Sequence, residues 1–148
     1  MSFYSMVFTI PKNTSENDPY EQKLQISSGI LHQVSVVIPP GHAGLTGCAL
    51  DIGLHQIAPT NQNEWFKGDD TRWMYPEYIE IPPGEHELNL RGYNTDDTYD
   101  HSFILGVGIL PVQIYNAILQ LSESMQPMIA DMASLAKFFA LPQSPPEG

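Results

Sequence analysis

The spacing of apolar residues changes once along the chain, at Pro111, and the change separates two kinds of structure. Between residues 3 and 110 the apolar residues mostly alternate with polar ones, and Gly, Pro, Asn and Asp interrupt them every eight to fifteen residues. A period of two puts alternate side chains on one face of an extended strand, and the interruptions are typical of turns. The first part of the chain therefore predicts short antiparallel strands.

The alternation also indicates which segments form strands. They are residues 4–10, 24–26, 32–38, 48–54, 78–81, 86–90 and 101–109. His32 is in phase with Val34 and Val36, so we expect it to be half-buried beside them. These strands predict a mainly β fold, an antiparallel β-sandwich of jelly-roll-like form over residues 1–110, followed by a C-terminal helical segment.

The tetrapeptide Ile-Pro-Pro-Gly occurs twice, at residues 38–41 and 81–84, each time between two predicted strands. Proline fixes φ and removes a donor, and glycine accepts a positive φ, so both copies are interpreted as strand connectors. A proline-rich ligand for a partner is the alternative. We expect His42 and His86, which follow the two turns, to be solvated.

Beyond Pro111 the alternation gives way to a helical pattern over residues 111–141, and residues 142–148 read as an extended tail. Eight apolar positions follow one another at intervals of four and three residues, a period of 3.5 that is typical of helix-on-helix packing. This seam consists of Ile114, Ile118, Leu121, Met125, Met128, Met132, Leu135 and Phe139. It predicts a homo-oligomer, a trimer in preference, or docking into a larger shell. Pro127 predicts a kink or a restart near residues 124–126.

Composition excludes several classes of function. Lys and Arg number 6 against 17 Asp and Glu, and a net charge of -11 repels the phosphates of nucleic acids. Cys48 is the only cysteine, which rules out an internal disulfide and favours a buried small apolar residue. No segment has eighteen consecutive apolar residues, and the N-terminus lacks the pattern of a signal peptide. We therefore expect a soluble chain without a membrane span.

Motifs for catalysis and for metal binding are missing from the sequence. The five histidines show no metal-ligand spacing. Residues 94–100 resemble the start of a calcium loop but lack its later glycine and glutamate, so a polar turn is the preferred interpretation. Asp51 and His55 form an acid–base pair on one strand face, but any acidic protein could contain such a pair and no supporting motif accompanies it. The sequence predicts a protein that is not an enzyme and has no cofactor-binding or metal site.

An aromatic stretch marks a second candidate site. Residues 59–78 form the longest stretch without clear alternation, and we read them as a large loop carrying Trp65, Trp73, Tyr75 and Tyr78. Aromatic rings beside amide and acid side chains suit a protein interface, and they also suit glycans, since rings stack on sugars while amides bind hydroxyls.

The layout of FTIP, HQVSVVIPPGHAGL, GLHQIAPTN and GYNTDDTYDHSFILGVGILP resembles that of small β-sandwich virion proteins of tailed bacteriophages, including the phrases at residues 55–57 and 59–61. The resemblance implies a structural virion component, either a capsid decoration protein or a tail or fibre accessory. Its expected partners are copies of itself and other virion proteins such as a major capsid protein, with assembly in the host cytoplasm. The alternative is a carbohydrate-binding or receptor-binding module that uses the aromatic loop.

Overall fold

The computed structural model describes residues 1–84 and 86–140. The chain divides after Pro111 into two compact units. Among the described residues, the first unit contains eight strands and the second contains one helix. The elements are β1 (Ser2–Ile10), β2 (Tyr20–Ile26), β3 (Gly29–Ile38), β4 (Thr46–Ile52), β5 (His55–Ala58), β6 (Thr71–Ile81), β7 (His86–Asn94), β8 (His101–Leu110) and α1 (Val112–Ala140). The predicted tail, residues 142–148, lies outside the described residues.

The strands form two antiparallel four-stranded sheets. Sheet A has the order β1-β8-β3-β6, and sheet B has the order β2-β7-β4-β5. This arrangement, with strands 1, 8, 3 and 6 in one sheet and 2, 7, 4 and 5 in the other, is that of a jelly roll. The prediction of a mainly β sandwich followed by a helix is confirmed.

Alternate side chains of both sheets fill the core between them. Phe8 and Ile10 of β1 are fully buried, as are Val34 of β3, Leu50 of β4 and Leu88 of β7. The inward positions that the period of two predicts in β8 are buried as well: Phe103, Leu105, Val107 and Ile109. Cys48 is buried and free, as predicted.

Several local features of the strands differ from the sequence prediction. β4 ends at Ile52, where Gly53 turns the chain with a φ of 60°, so Leu54 is fully exposed and not part of that strand. A short strand that was not predicted, β5, follows. In β3 a bulge between Leu31 and Gln33 shifts the alternation. His32 is half-buried as expected, but on the outer face instead of the core face, with its ring against Gly108.

Both Pro-Pro-Gly segments connect strands, as predicted. Gly41 lies between β3 and β4 with a φ of 104°, and Gly84 lies between β6 and β7 with a φ of 136°. The expectation of a solvated His42 is wrong, because its side chain is buried, and His86 is half-buried with its Nε2 out of solvent. In His42 the imidazole Nε2 donates to the carbonyl of Ser102 at 3.1 Å, and Nδ1 lies 2.6 Å from the hydroxyl of Thr46.

In the second unit, α1 runs without a break from Val112 to Ala140 through Pro127, so the restart is wrong, while the kink, the alternative, stays a prediction. Proline cannot donate the hydrogen bond that a carbonyl one turn earlier would accept. The carbonyl that loses its N–H partner in this way is that of Glu123. Nearby, the hydroxyl of Ser124 donates to the carbonyl of Leu121 at 2.8 Å. Within residues 1–84 and 86–140, no helix has the combination of length and hydropathy that crossing a bilayer requires.

Candidate functional site

The helical seam is exposed along its whole length. Each of its members has at least 45% of its surface accessible to solvent: Ile114, Ile118, Leu121, Met125, Met128, Met132, Leu135 and Phe139. Leu119, Ile129 and Phe138 are exposed as well and widen the apolar face. The helix carries only three charged side chains, Glu123, Asp131 and Lys137. An apolar face of this size with so few charges is typical of an interface.

Three neighbouring strands of sheet A present a second surface without formal charges. Strands β1, β3 and β8 contain no Asp, Glu, Lys or Arg at all, although the whole chain has a net charge of -11. Val7 of β1 pairs with Ile104 of β8, which pairs in turn with Val37 of β3, so these three outward side chains form an apolar row. Phe3 and Met74 are also largely exposed on this face. The outer face of sheet A is therefore suited to contact with protein.

The aromatic residues predicted to share one loop lie on separate elements, so that prediction is wrong. Trp65 belongs to the connection between β5 and β6, whereas Trp73, Tyr75 and Tyr78 lie on β6 itself. Trp73 and Tyr75 pair with Val36 and Val34, and both contact the ring of Phe66. Burial raises the pKa of Tyr75 well above its usual value. Only Tyr78 is mainly exposed. The four side chains do not form one binding surface.

A polar network on the outer face of sheet B was not predicted. Arg91 of β7 donates from Nε and Nη2 to the carboxylate of Asp51 on β4, and from Nη2 to Oε1 of Gln56 on β5 at 3.1 Å. The paired carboxylate raises the pKa of Arg91 above its usual value. The guanidinium also lies 5.2 Å from the ring centre of Trp65. The network joins three strands and one loop.

Gln56 fixes the loop that follows β5. Its Nε2 lies within 3.1 Å of the carbonyl oxygens of Pro59, Asn61 and Glu64. Gln62 donates back to the carbonyl of Gln56 at 3.2 Å. Because the buried amide of Gln56 is bonded to three carbonyls of one loop, the loop of residues 59–64 has a defined conformation.

The calcium-like segment is used for turn chemistry. Asp96 Oδ1 accepts from the backbone N–H groups of Thr98 and Tyr99, and Oδ2 lies 2.8 Å from Nε2 of His101. These contacts lower the pKa of Asp96, with the His101 contact the largest cause. Asp100 accepts from the backbone of Lys12. Among the residues that the structure describes, no group of three or more His, Cys, Asp or Glu side chains could hold a metal ion.

Asp51 and His55, the possible acid–base pair, have structural contacts with other residues instead of with each other. Asp51 bonds to Arg91, and its neighbour across the sheet is Gln56, whereas His55 pairs with Ile52. The residues that share the network come from distant parts of the chain. Sequence spacing could not bring them together, because their proximity depends on strand order. The one available signal was that Asp51 is a charged residue within an alternating segment and that Arg91 directly follows another.

Comparisons with protein-family models, with curated protein sequences and with solved structures each find no match.

Proposed function

We propose that this chain is a non-enzymatic structural protein that assembles with copies of itself through its C-terminal helix, as a capsid decoration protein or a tail or fibre accessory of a virion. The observation that carries the proposal is the exposure of all eight seam residues. Burying a large apolar side chain stabilises by about 1.5 to 3 kcal/mol. Leaving the whole seam in water forfeits more than a domain of this size can spare, so a partner surface is required.

Helix-on-helix packing is the favoured arrangement, with further copies as the partners. In heptad terms, Ile118, Met125 and Met132 occupy one core position and Leu121 and Met128 the other, without interruption. Flanking positions in coiled coils usually carry charges that set pairing. In this helix most of the flanking residues are small or apolar. They cannot form the ion pairs that set pairing in a dimer, and they widen the apolar face. A wide apolar face is buried more completely among three helices than between two, so we favour a trimer over a dimer.

The sandwich supports the same proposal. The uncharged strands β1, β3 and β8 of sheet A can contact neighbouring copies or another virion protein, while the charged outer face of sheet B remains in solvent. Jelly-roll domains occur in viral capsid proteins and in lectins, so the fold agrees with a virion role by analogy. Detection of the chain in purified virus particles, at a copy number that is a multiple of three, would test the virion part of the proposal.

Substitutions in the seam test self-association. Leu121→Asp with Leu135→Asp places two carboxylates in the seam, and we expect a monomer that keeps its strands by circular dichroism. Gln113→Asp with Gln120→Asp is the matched control, because it adds the same charge to exposed positions outside the seam. The control should keep the mass of the parent in light scattering. Equal masses for both variants, or strands lost only in the seam variant, would count against the proposal.

A further inference from the structure

A polar groove crosses the outer face of sheet B. One recess of about 280 Å³ is lined by Glu21, Asp51, Gly53, Leu54, Gln56, Gln62, Asn63, Asn89 and Arg91. A second, of about 490 Å³, is lined by Lys23, Gln25, Ile52, Gly53, His86, Glu87 and Asn89. Gly53 and Asn89 line both, so the two recesses adjoin. From this groove we infer a binding site for a neutral polyhydroxylated ligand, a carbohydrate without acidic groups.

The lining determines the chemical class of the ligand. Pockets for apolar small molecules are lined mainly by hydrophobic and aromatic side chains. This groove presents amides, carboxylates and a guanidinium, and only Leu54 and Ile52 are apolar. Such planar groups offer both donors and acceptors, as the hydroxyls of a sugar require. An apolar ligand would leave them without hydrogen bonds.

The charge of the groove disfavours an anion. Three carboxylates, from Glu21, Asp51 and Glu87, lie against two cations, Lys23 and Arg91. Both cations are engaged: Arg91 bonds to Asp51, and Lys23 lies 2.6 Å from Glu87. A phosphate or an acidic sugar would therefore meet a net negative lining. A neutral ligand avoids this repulsion.

Two polar atoms of the groove have no hydrogen-bond partner among the described residues. They are Oδ1 of Asn89 and Nε2 of His86, and both are buried. Buried polar atoms without a partner are rare in folded proteins, and each needs an explanation. Asn89 lies where the two recesses adjoin. A hydroxyl can donate to the amide oxygen and can either donate to or accept from the imidazole, so one class of ligand satisfies both atoms after small side-chain rotations.

The groove is also preformed. Gln56 holds the loop at one rim through three carbonyl oxygens, and Gln62 is held in return by the carbonyl of Gln56. Asn63 has a φ of 64°, a left-handed conformation that asparagine tolerates better than most residues. A rim that is ordered before binding lowers the entropic cost of association. Trp65, in the same loop, packs against Arg91 and so also helps to order the rim before binding.

The test is a nuclear magnetic resonance titration of the intact, ¹⁵N-labelled chain. The probes are D-glucose, D-galactose, D-mannose and N-acetyl-D-glucosamine, each to about 50 mM, a concentration that saturates millimolar sites. At least one sugar should shift the side-chain amide signals of Gln62, Asn63 and Asn89 in a saturable way. Inorganic phosphate and N-acetylneuraminic acid, the charged controls, should not.

Variants connect the binding to the groove. Gln62→Ala and Asn89→Ala should each weaken binding about fivefold, the effect of one lost hydrogen bond. Asn116→Ala, an exposed helical position, is the matched control and should leave binding unchanged. Because Gln62 is exposed, its variant folds even if Asn89→Ala does not. The inference is overturned if no neutral sugar shifts these signals, if the anions bind instead, or if the alanine variants bind as the parent does.

Discussion

The polar network of sheet B predicts that Arg91→Met lowers the free energy of unfolding by about 3 kcal/mol. The side chain of Asp51 is 7% exposed and that of Arg91 is 25% exposed. Without the guanidinium, the Asp51 carboxylate stays out of water and has lost its counter-charge. Breaking a buried ion pair in this way costs about 3 to 5 kcal/mol. We expect the lower end, because a quarter of the arginine side chain already contacts solvent.

Asp51→Asn should be milder, at about 1 to 2 kcal/mol. The asparagine keeps the shape of the aspartate, and the partly exposed guanidinium that remains can be hydrated. The double variant should cost less than the sum of the two single ones, since both substitutions remove the same contacts. Arg91→Met should destabilise more than Asp51→Asn, because the charge that it leaves unpaired, on Asp51, is less exposed than the charge on Arg91.

Urea denaturation of the intact chain, followed by tryptophan fluorescence at one fixed protein concentration, measures these changes. Lys23→Met is the control, because Lys23 and Glu87 form an ion pair on the solvent-exposed side of β2 and β7. Exposed pairs contribute little, so its midpoint should equal that of the parent. If Arg91→Met is no more destabilising than Asp51→Asn or than the control, the network does not stabilise the sandwich as described.

Further predictions concern the turns, a buried histidine and metal ions. Gly41→Val and Gly84→Val should each destabilise by about 1 to 3 kcal/mol in urea denaturation, because both glycines have a positive φ; neutral effects at both would contradict this. Burial, with the nearby His101 as the second cause, lowers the pKa of His42 below its usual value of 6.5. As the pH falls, the unfolded chain therefore binds a proton at this histidine before the folded chain does. The stability that depends on a neutral His42 is complete above pH 6.5 and is lost as the pH falls below 6.5. His42→Gln should flatten the loss in melting temperature as the pH falls below 6.5, and an unchanged pH profile would show that His42 is not responsible. EDTA should leave the melting temperature unchanged; a drop that calcium restores would point to a site at Asp96 and Asp100.

The sandwich was largely predictable because each central strand buries one face, and burial imposes a period of two on the sequence. The first half of β6 was missed since it is an edge strand: Arg72 and Met74 face outward, Trp73 is partly exposed, and Pro76 is tolerated where no neighbour needs its missing N–H. β5 was missed because it has four residues and follows a tight turn.

The candidate sites were predictable to different degrees. The helical seam is local in sequence, so its eight positions follow from their spacing, and the structure shows that all eight are exposed; that they form an interface stays a prediction. The groove depends on strand order, which places Glu21 opposite Arg91 and Asn89 opposite Asp51 across three strands. The burial of His42 has the same kind of origin, because its ring packs against Phe103, 61 residues later in the chain. Sequence periodicity carries no information about such contacts.

The mass of the intact chain in solution tests the central claim most directly. Sedimentation equilibrium at micromolar concentrations should give three times the 16.5 kDa of one chain, and truncation after Pro111 should give a monomer that is rich in strands. If copies of the chain cover the exposed seam, the mass must exceed that of one chain, and a trimer is the assembly that we favour. A stable monomer of the intact chain over the same concentrations would contradict assembly through the helix.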